Sequence, residues 1–183
     1  MKRYNKKDFP IEDTRRLLEP GPIVLVSSAY KGERDIMAMG WHMMMEYTLI
    51  GCYIWDQNYS RQLIRNSREC VINVPTADIA KIVIGIGNCH GVGIDKFEKF
   101  SLTATKAKEV SAPLIAECYA SFECKLIDDT LIDKYSLFVF EVVKAHVATR
   151  PKYPETIHYR GHGQFMLSGK NKNYQSQFKE ENL

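Results

Sequence analysis

The sequence predicts a mainly β chain, an antiparallel barrel or sandwich carrying short helical insertions. Three observations carry that prediction. Runs rich in β-branched and aromatic residues recur along the chain, at 23–28, 47–55, 70–75, 117–127 and 135–148. The helical stretches between them are few and short. The regular strand–helix–strand alternation of a doubly wound sheet is missing.

Taken in order, residues 1–19 read as an arm followed by a short helix over 14–19, closed by Pro20-Gly21-Pro22. Lys2, Arg3, Lys6 and Lys7 make that arm basic, and it reads as a solvated tail. Ile23-Val24-Leu25-Val26-Ser27-Ser28 is a strand ending in the turn Lys31-Gly32-Glu33. Residues 35–45 are apolar on both alternating faces, so periodicity leaves strand or helix open. The turn before them and Gly40 within them favour a strand followed by an irregular segment. Residues 47–55 form a third strand. Asp56-Gln57-Asn58-Tyr59-Ser60 is a polar turn opening a helix over 61–67, with Ser60 a candidate N-cap whose hydroxyl can take an orphan backbone N–H.

The strand at 70–75 stops at Pro75, and Thr76 then caps a helical stretch over 77–86. Gly85, Gly87, Gly91 and Gly93 break the chain before a short helix over 95–100. In the long strand at 117–127, Tyr119, Ser121, Glu123 and Lys125 face one way. Cys118, Ala120, Phe122, Cys124 and Leu126 face the other. Another strand covers 135–148, and a polar tail occupies 171–183. The domain proper is expected to span 20–170.

Composition narrows the function classes. The 183 residues carry a formal charge of +3, too weak a bias for a nucleic-acid binder, whose basic groups concentrate on one face. No run approaches the ~20 apolar residues of a membrane helix, and no apolar run follows the first residues as in a secretory signal. The five cysteines are odd in number and lack zinc-knuckle spacing, so they read as reduced thiols of a cytoplasmic protein. No metal site is expected: His158 and His162 are four apart, but Gly161 and Gly163 argue against a helix there.

Gly85-Ile86-Gly87-Asn88-Cys89-His90-Gly91 is not a dinucleotide fingerprint, because His90 stands where the third glycine belongs. No Gly-x-Ser-x-Gly elbow occurs. Groups for anions and rings remain. Ser60 and Arg61 at a helix start could meet a phosphate, with Lys96 in support. Trp41 and Trp55 could wall a planar cofactor or simply be core.

In order along the chain, these pieces resemble the flavin reductase-like FMN-binding proteins, flavoredoxins included. The strand ending at Ser27-Ser28 precedes Asp35-Ile36-Met37-Ala38-Met39-Gly40-Trp41, which is similar to their Asn-x-Met-Thr-x-x-Trp. Cys70-Val71-Ile72-Asn73-Val74-Pro75 resembles their Phe-x-Val-Asn strand, and Gly93-Ile94-Asp95-Lys96-Phe97 their Asp-Lys-Phe. Gly161-His162-Gly163-Gln164-Phe165 resembles a glycine-plus-aromatic stretch near their C-terminus.

The resemblance implies an FMN-binding split barrel, a closed antiparallel Greek-key barrel that is usually a homodimer with FMN near the interface. It implies no catalytic side chain, the flavin carrying the chemistry. The cofactor set it implies is Ser27, Asp35, Met37, Ala38, Trp41, Asn58, Ser60, Arg61, Lys96 and Phe165. Asp35, Met37 and Ala38 would act largely through the main chain, and Ser60 and Arg61 would hold the phosphate. Asp35 stands for the usual Asn and Ala38 for the usual Thr, and the Gly-Asp-His element linked with nicotinamide use is not visible. The implied activity is NAD(P)H-dependent flavin reduction, with electrons passed to a small molecule or an acceptor protein. Alternatives are an electron carrier without a nicotinamide site and a split-barrel binding module without flavin.

Overall fold

The computed structural model describes residues 1–18 and 21–182. It builds the N-terminal arm into the sheet. Strand β1 (Lys6–Phe9) pairs antiparallel with Ala145–Ala148 near the C-terminal end of a long strand. This corrects the solvated-tail reading of the arm, and Lys6 shows why. Its Nζ donates to the Ile115 carbonyl at 2.6 Å. Burial lowers its pKa to about 8, against the opposing pull of Cys118 and Glu117. A 3-10 turn then leads into α1 (Arg15–Leu18); Glu19, the expected end of that helix, and Pro20 lie outside the described residues.

Lys31 and Gly32 both have positive φ, 48° and 86°. A two-residue turn of that hand matches strand twist, and it folds β2 (Val24–Tyr30) onto β3 (Glu33–Met39). Gly40 and Trp41 alone separate β3 from β4 (His42–Met44), which pairs with β5 (Leu49–Tyr53). Then follow α2 (Tyr59–Ser67), β6 (Glu69–Val74), α3 (Ala80–Gly87), α4 (Lys96–Lys99), β7 (Ala104–Thr105) and β8 (Leu114–Ile115). The chain continues through β9 (Ala120–Asp128), α5 (Ile132–Tyr135), β10 (Leu137–Ala148) and a separate hairpin of β11 (Ile157–Gly161) and β12 (Gln164–Leu167).

The main sheet runs β3-β2-β6-β9-β10-β5-β4, with β1 also on β10, and its ladders are antiparallel. Its two edges, β3 and β4, are consecutive in sequence. Two linking residues cannot span a flat seven-strand sheet, so the sheet curls until its edges approach and a split remains between them. Residues of alternating parity fill the two sides. Val26, Met37, Ile50, Ile72, Phe122 and Phe140 pack inside the curl. Leu25 and Ile36 pack outside, beneath Val83 and Ile86 of α3 and Phe97 of α4.

Three local expectations are corrected. The N-cap of α2 is Asn58, and Ser60 lies buried in the first turn, its hydroxyl drawn to the carboxylate of Asp35 rather than to an α2 amide. Thr76 holds the expected N-cap position at the start of a helical stretch, but its hydroxyl bonds the Asp78 carboxylate rather than an amide, and that stretch is a 3-10 turn at Ala77–Ile79 before α3. Gly85 and Gly87 lie inside α3 rather than in a loop. Each costs a helix roughly 1 kcal/mol against Ala, but a Cβ at Gly85 would stand 2.7 Å from the Phe100 ring, so close packing requires the glycine.

Candidate functional site

Strand parity places the site. On β3, Met37 enters the interior core while Ala38 turns outward toward α3. As the end strand of the sheet, β3 has an outer backbone edge with no strand partner. Beside this edge lies a cleft of about 580 Å³. Ile23, Ala38, Met39 and Gly40 form one wall, and Val83, Ile84, Gly87 and Asn88 of α3 and its end form a second. The hairpin supplies Tyr159, Gly163 and Phe165. Tyr159 and Phe165 are a cross-strand pair with ring centroids 5.0 Å apart, and the Gly163 amide donates to the Tyr159 hydroxyl at 3.3 Å. Its lining residues are apolar except Asn88 and the Tyr159 hydroxyl, and none is charged.

A second, polar cleft of about 500 Å³ opens at the start of α2, lined by Gln57, Asn58, Tyr59, Arg61, Arg65 and His90 among others. No side chain caps α2, and the Arg61 amide in its first turn donates to the Asn58 carbonyl at 3.0 Å. The segment 88–92 separates the two clefts: Asn88 lines the first, His90 and Val92 the second. It is held by a His90 Nε2 contact to the Gln57 carbonyl at 3.2 Å.

Of the residues expected to meet a cofactor, Ala38 and Phe165 line the apolar cleft, and Asn58 and Arg61 the polar one. Arg61 nevertheless turns its guanidinium inward. Nη1 donates to the Ile54 carbonyl at 2.7 Å and Nη2 to the Ile132 carbonyl at 3.3 Å, above the Phe138 ring. Asp35, Ser60 and Lys96 meet each other. Ser60 Oγ donates to Asp35 Oδ2 at 2.6 Å, and Lys96 Nζ lies 2.9 Å from Asp35 Oδ1 and 2.6 Å from the Ile36 carbonyl. The hydroxyl, guanidinium and ammonium expected at one phosphate are each bonded to another side chain or to a backbone carbonyl in this structure.

Ser27 is likewise internal. Its Oγ donates to the Pro113 carbonyl at 2.5 Å and accepts from Asn73 Nδ2 at 3.1 Å. Met37 buries its side chain in the barrel, leaving only its main chain near the edge. Trp41 does not line the cleft that Gly40 lines; its ring is exposed, 5.1 Å from Tyr53. His158, half of the histidine pair, bonds the Gly21 carbonyl through Nδ1 at 3.0 Å. Among the described residues no group of three or more His, Cys, Asp and Glu is placed to hold a metal.

Val83, Ile84, Asn88 and Tyr159 were not legible as site residues. The first two sit in a helix whose glycines read as a break. Tyr159 belongs to a hairpin whose only sequence signal is the Gly161-His162-Gly163 turn.

A curled antiparallel sheet split between consecutive edge strands, with a ring-sized apolar cleft at the split, defines a split-barrel protein. The chain belongs to the family of the flavin reductase like domain, whose sequence profile matches residues 15–165. An uncharacterised protein of Archaeoglobus fulgidus is 32% identical over 111 residues, 60% of this chain and 63% of that relative's length. An FMN-binding domain of a flavin reductases-like enzyme from Shewanella baltica superposes with a TM-score of 0.86 at 24% identity, covering 94% of this chain and 99% of that one. Flavoredoxin of Desulfovibrio vulgaris superposes with a TM-score of 0.77 at 20% identity, covering 86% and 93%. No described helix is long and apolar enough to cross a membrane.

Proposed function

We propose that the chain binds FMN and works as a flavoprotein oxidoreductase, with the isoalloxazine ring in the apolar cleft and the phosphate at the start of α2. The observation carrying this reading is the juxtaposition of a charge-free cleft on the open edge of β3 with a polar cleft at an uncapped helix start. The residues fit the cofactor's two ends. A planar ring needs walls without bulk, and Ala38 and Gly40 provide one on β3 and Gly87 one on α3, with Phe165 and Tyr159 of the hairpin beside them. A phosphate needs amides and the positive end of a helix dipole, which α2 and Asn58 provide. Outward backbone groups of β3 can bond the polar edge of the ring, while the hairpin keeps water from one of its faces. Bound FMN supplies the hydride or electron transfer, and the protein positions it.

Two matched structures support the reading by their descriptions, an FMN-binding domain and a flavoredoxin. The test is titration of the purified protein with FMN. A saturable change in the flavin's visible absorbance is expected, and a protein that stays colourless after FMN is added refutes the reading. NADH or NADPH is the proposed reductant and a small molecule or acceptor protein the electron sink. A carrier without its own nicotinamide site is favoured by one observation: no charged residue lines the apolar cleft to meet a dinucleotide's phosphates. Stopped-flow mixing separates the two. Bleaching within a turnover supports the reductase, and its absence the carrier.

The second partner is another copy of the chain. Trp41, Met43, Met45, Tyr53 and Trp55 expose a large apolar surface on β4 and β5. A Cβ on Gly51 would stand 3.0 Å from Met45 Sδ and 3.2 Å from Met43 Cε, so both methionines lie on one face. Exposed patches of this kind mark interfaces, and this one adjoins Gly40 of the cleft. The double substitution Trp41→Glu and Met43→Glu is expected to convert a dimer to monomer and weaken FMN binding. Light scattering checks the first effect, and a wild-type monomer at micromolar concentration would dispose of the homodimer.

A further inference from the structure

Asp35 and Lys96 are 1% and 3% exposed, yet they form the most buried ion pair among the described residues. Three segments bordering the site meet on this pair. Lys96 opens α4 behind its cap, Asp95, and reaches across the free edge of β3 to the Ile36 carbonyl and Asp35. Ser60 brings in the first turn of α2. Gly91 brings in the segment between the two clefts: a Cβ there would stand 2.5 Å from Asp35 Oδ1 and 2.8 Å from Tyr59 Cδ1. The charges around it are themselves paired. Arg34 binds Asp95 at 2.7 Å, and Tyr59 donates to Glu33.

Ala38, on the cleft wall, is three residues along β3 from Asp35, roughly 10 Å at ~3.3 Å per residue. At that range a buried charge acts through protein rather than water, so solvent screening is weak. While both charges are present their fields largely cancel at the cleft.

The geometry points to Asp35 and Lys96 as a positioning pair whose charge balance sets the reduction potential of the bound flavin. This inference rests on the FMN reading above. Reduction adds electrons to the ring, so net positive charge nearby favours the reduced form and net negative charge the oxidised form. Asp35→Asn leaves the Lys96 ammonium unbalanced and raises the midpoint potential of bound FMN. Lys96→Gln leaves the Asp35 carboxylate unbalanced and lowers it. The double variant returns toward the wild-type value, and Lys96→Arg retains it. A pair that only holds the fold together would weaken FMN binding in both single variants without opposite shifts.

The experiment is spectroelectrochemical titration of the FMN-loaded protein and these variants, preceded by FMN titration of each apoprotein. Opposite shifts with recovery in the double variant are expected. Shifts of the same sign, or none, overturn the inference while leaving the FMN reading standing. Wild-type protein that takes up no FMN ends both, and the titration shows that first. If one single variant does not fold, the sign of the other decides against the double variant as the charge-neutral reference. If neither folds, a double variant whose potential departs from wild type overturns the inference.

Discussion

Glu123→Ala should lower stability by about 3 kcal/mol, because several hydrogen-bond donors, at about 1–3 kcal/mol for each one left unsatisfied in a buried place, lose their shared acceptor. Glu123 sits fully buried on β9. Its carboxylate accepts the amides of Lys108 at 3.0 Å, Glu109 at 2.6 Å and Val110 at 3.2 Å, and the His146 ring at 2.7 Å. The group therefore pins the segment before β8 onto the sheet. Truncation would remove the acceptor from three part-buried amides and the buried His146 ring. Glu123→Gln keeps the size but not the charge and should cost less. Urea unfolding decides the matter: an alanine variant within about 1 kcal/mol of wild type would show the cluster to be dispensable.

The same carboxylate gives stability an acid limb. Burial pushes its pKa up, but the Lys108 amide, His146 and the Glu109 amide outweigh burial and hold it below the usual 4.5. A depressed folded-state pKa means the unfolded chain binds the proton first. The contribution is complete above the unfolded value and fades as pH falls through the folded one. Acid unfolding of Glu123→Gln should lack this component.

Glu123 also shows where sequence stops being informative. Alternation along 117–127 sorted Phe122, Cys124 and Leu126 to one face correctly, and they lie in the core. The opposite face carries Ser121, Glu123 and Lys125, polar residues whose burial the alternation does not reveal, yet Ser121 and Glu123 are buried on it. What covers them is residues 104–115, a segment with only two short strands, and periodicity does not reveal a distant loop folding over a sheet. Strands β2, β5, β6, β9 and β10 were legible because each has an apolar face and a turn to end it, whereas β1 and the β11–β12 hairpin were not.

The site was legible unevenly for a similar reason. Ala38, Asn58 and Phe165 line the two clefts, in stretches whose backbone course is fixed by strand, cap and hairpin. Ser60, Arg61 and Lys96 were assigned by chemical type, as donors suited to a phosphate. In the fold, donors go first to buried acceptors: Asp35, the Ile54 carbonyl and the Ile36 carbonyl. Residue type alone does not say which acceptor lies nearer.

Ala38→Phe should reduce FMN affinity at least about 100-fold, roughly 3 kcal/mol of binding free energy, while leaving the fold intact. Ala38 lies on the outward face of β3 and lines the apolar cleft, so an added phenyl ring occupies the space proposed for the isoalloxazine. Ala38 faces Gly87 of α3, where an added Cβ would lie 3.7 Å from the Ala38 Cβ, so the ring has to extend along the cleft. The neighbouring residue supplies the control. Met37 is buried in the interior core, so Met37→Ala should cost about 2–5 kcal/mol of stability yet spare the cleft. Adjacent substitutions on one strand thus separate binding from folding, because successive side chains point to opposite faces. FMN titration and thermal melts of both variants read the two effects. Unchanged affinity in Ala38→Phe would place the ring somewhere other than this cleft, whatever the protein's colour.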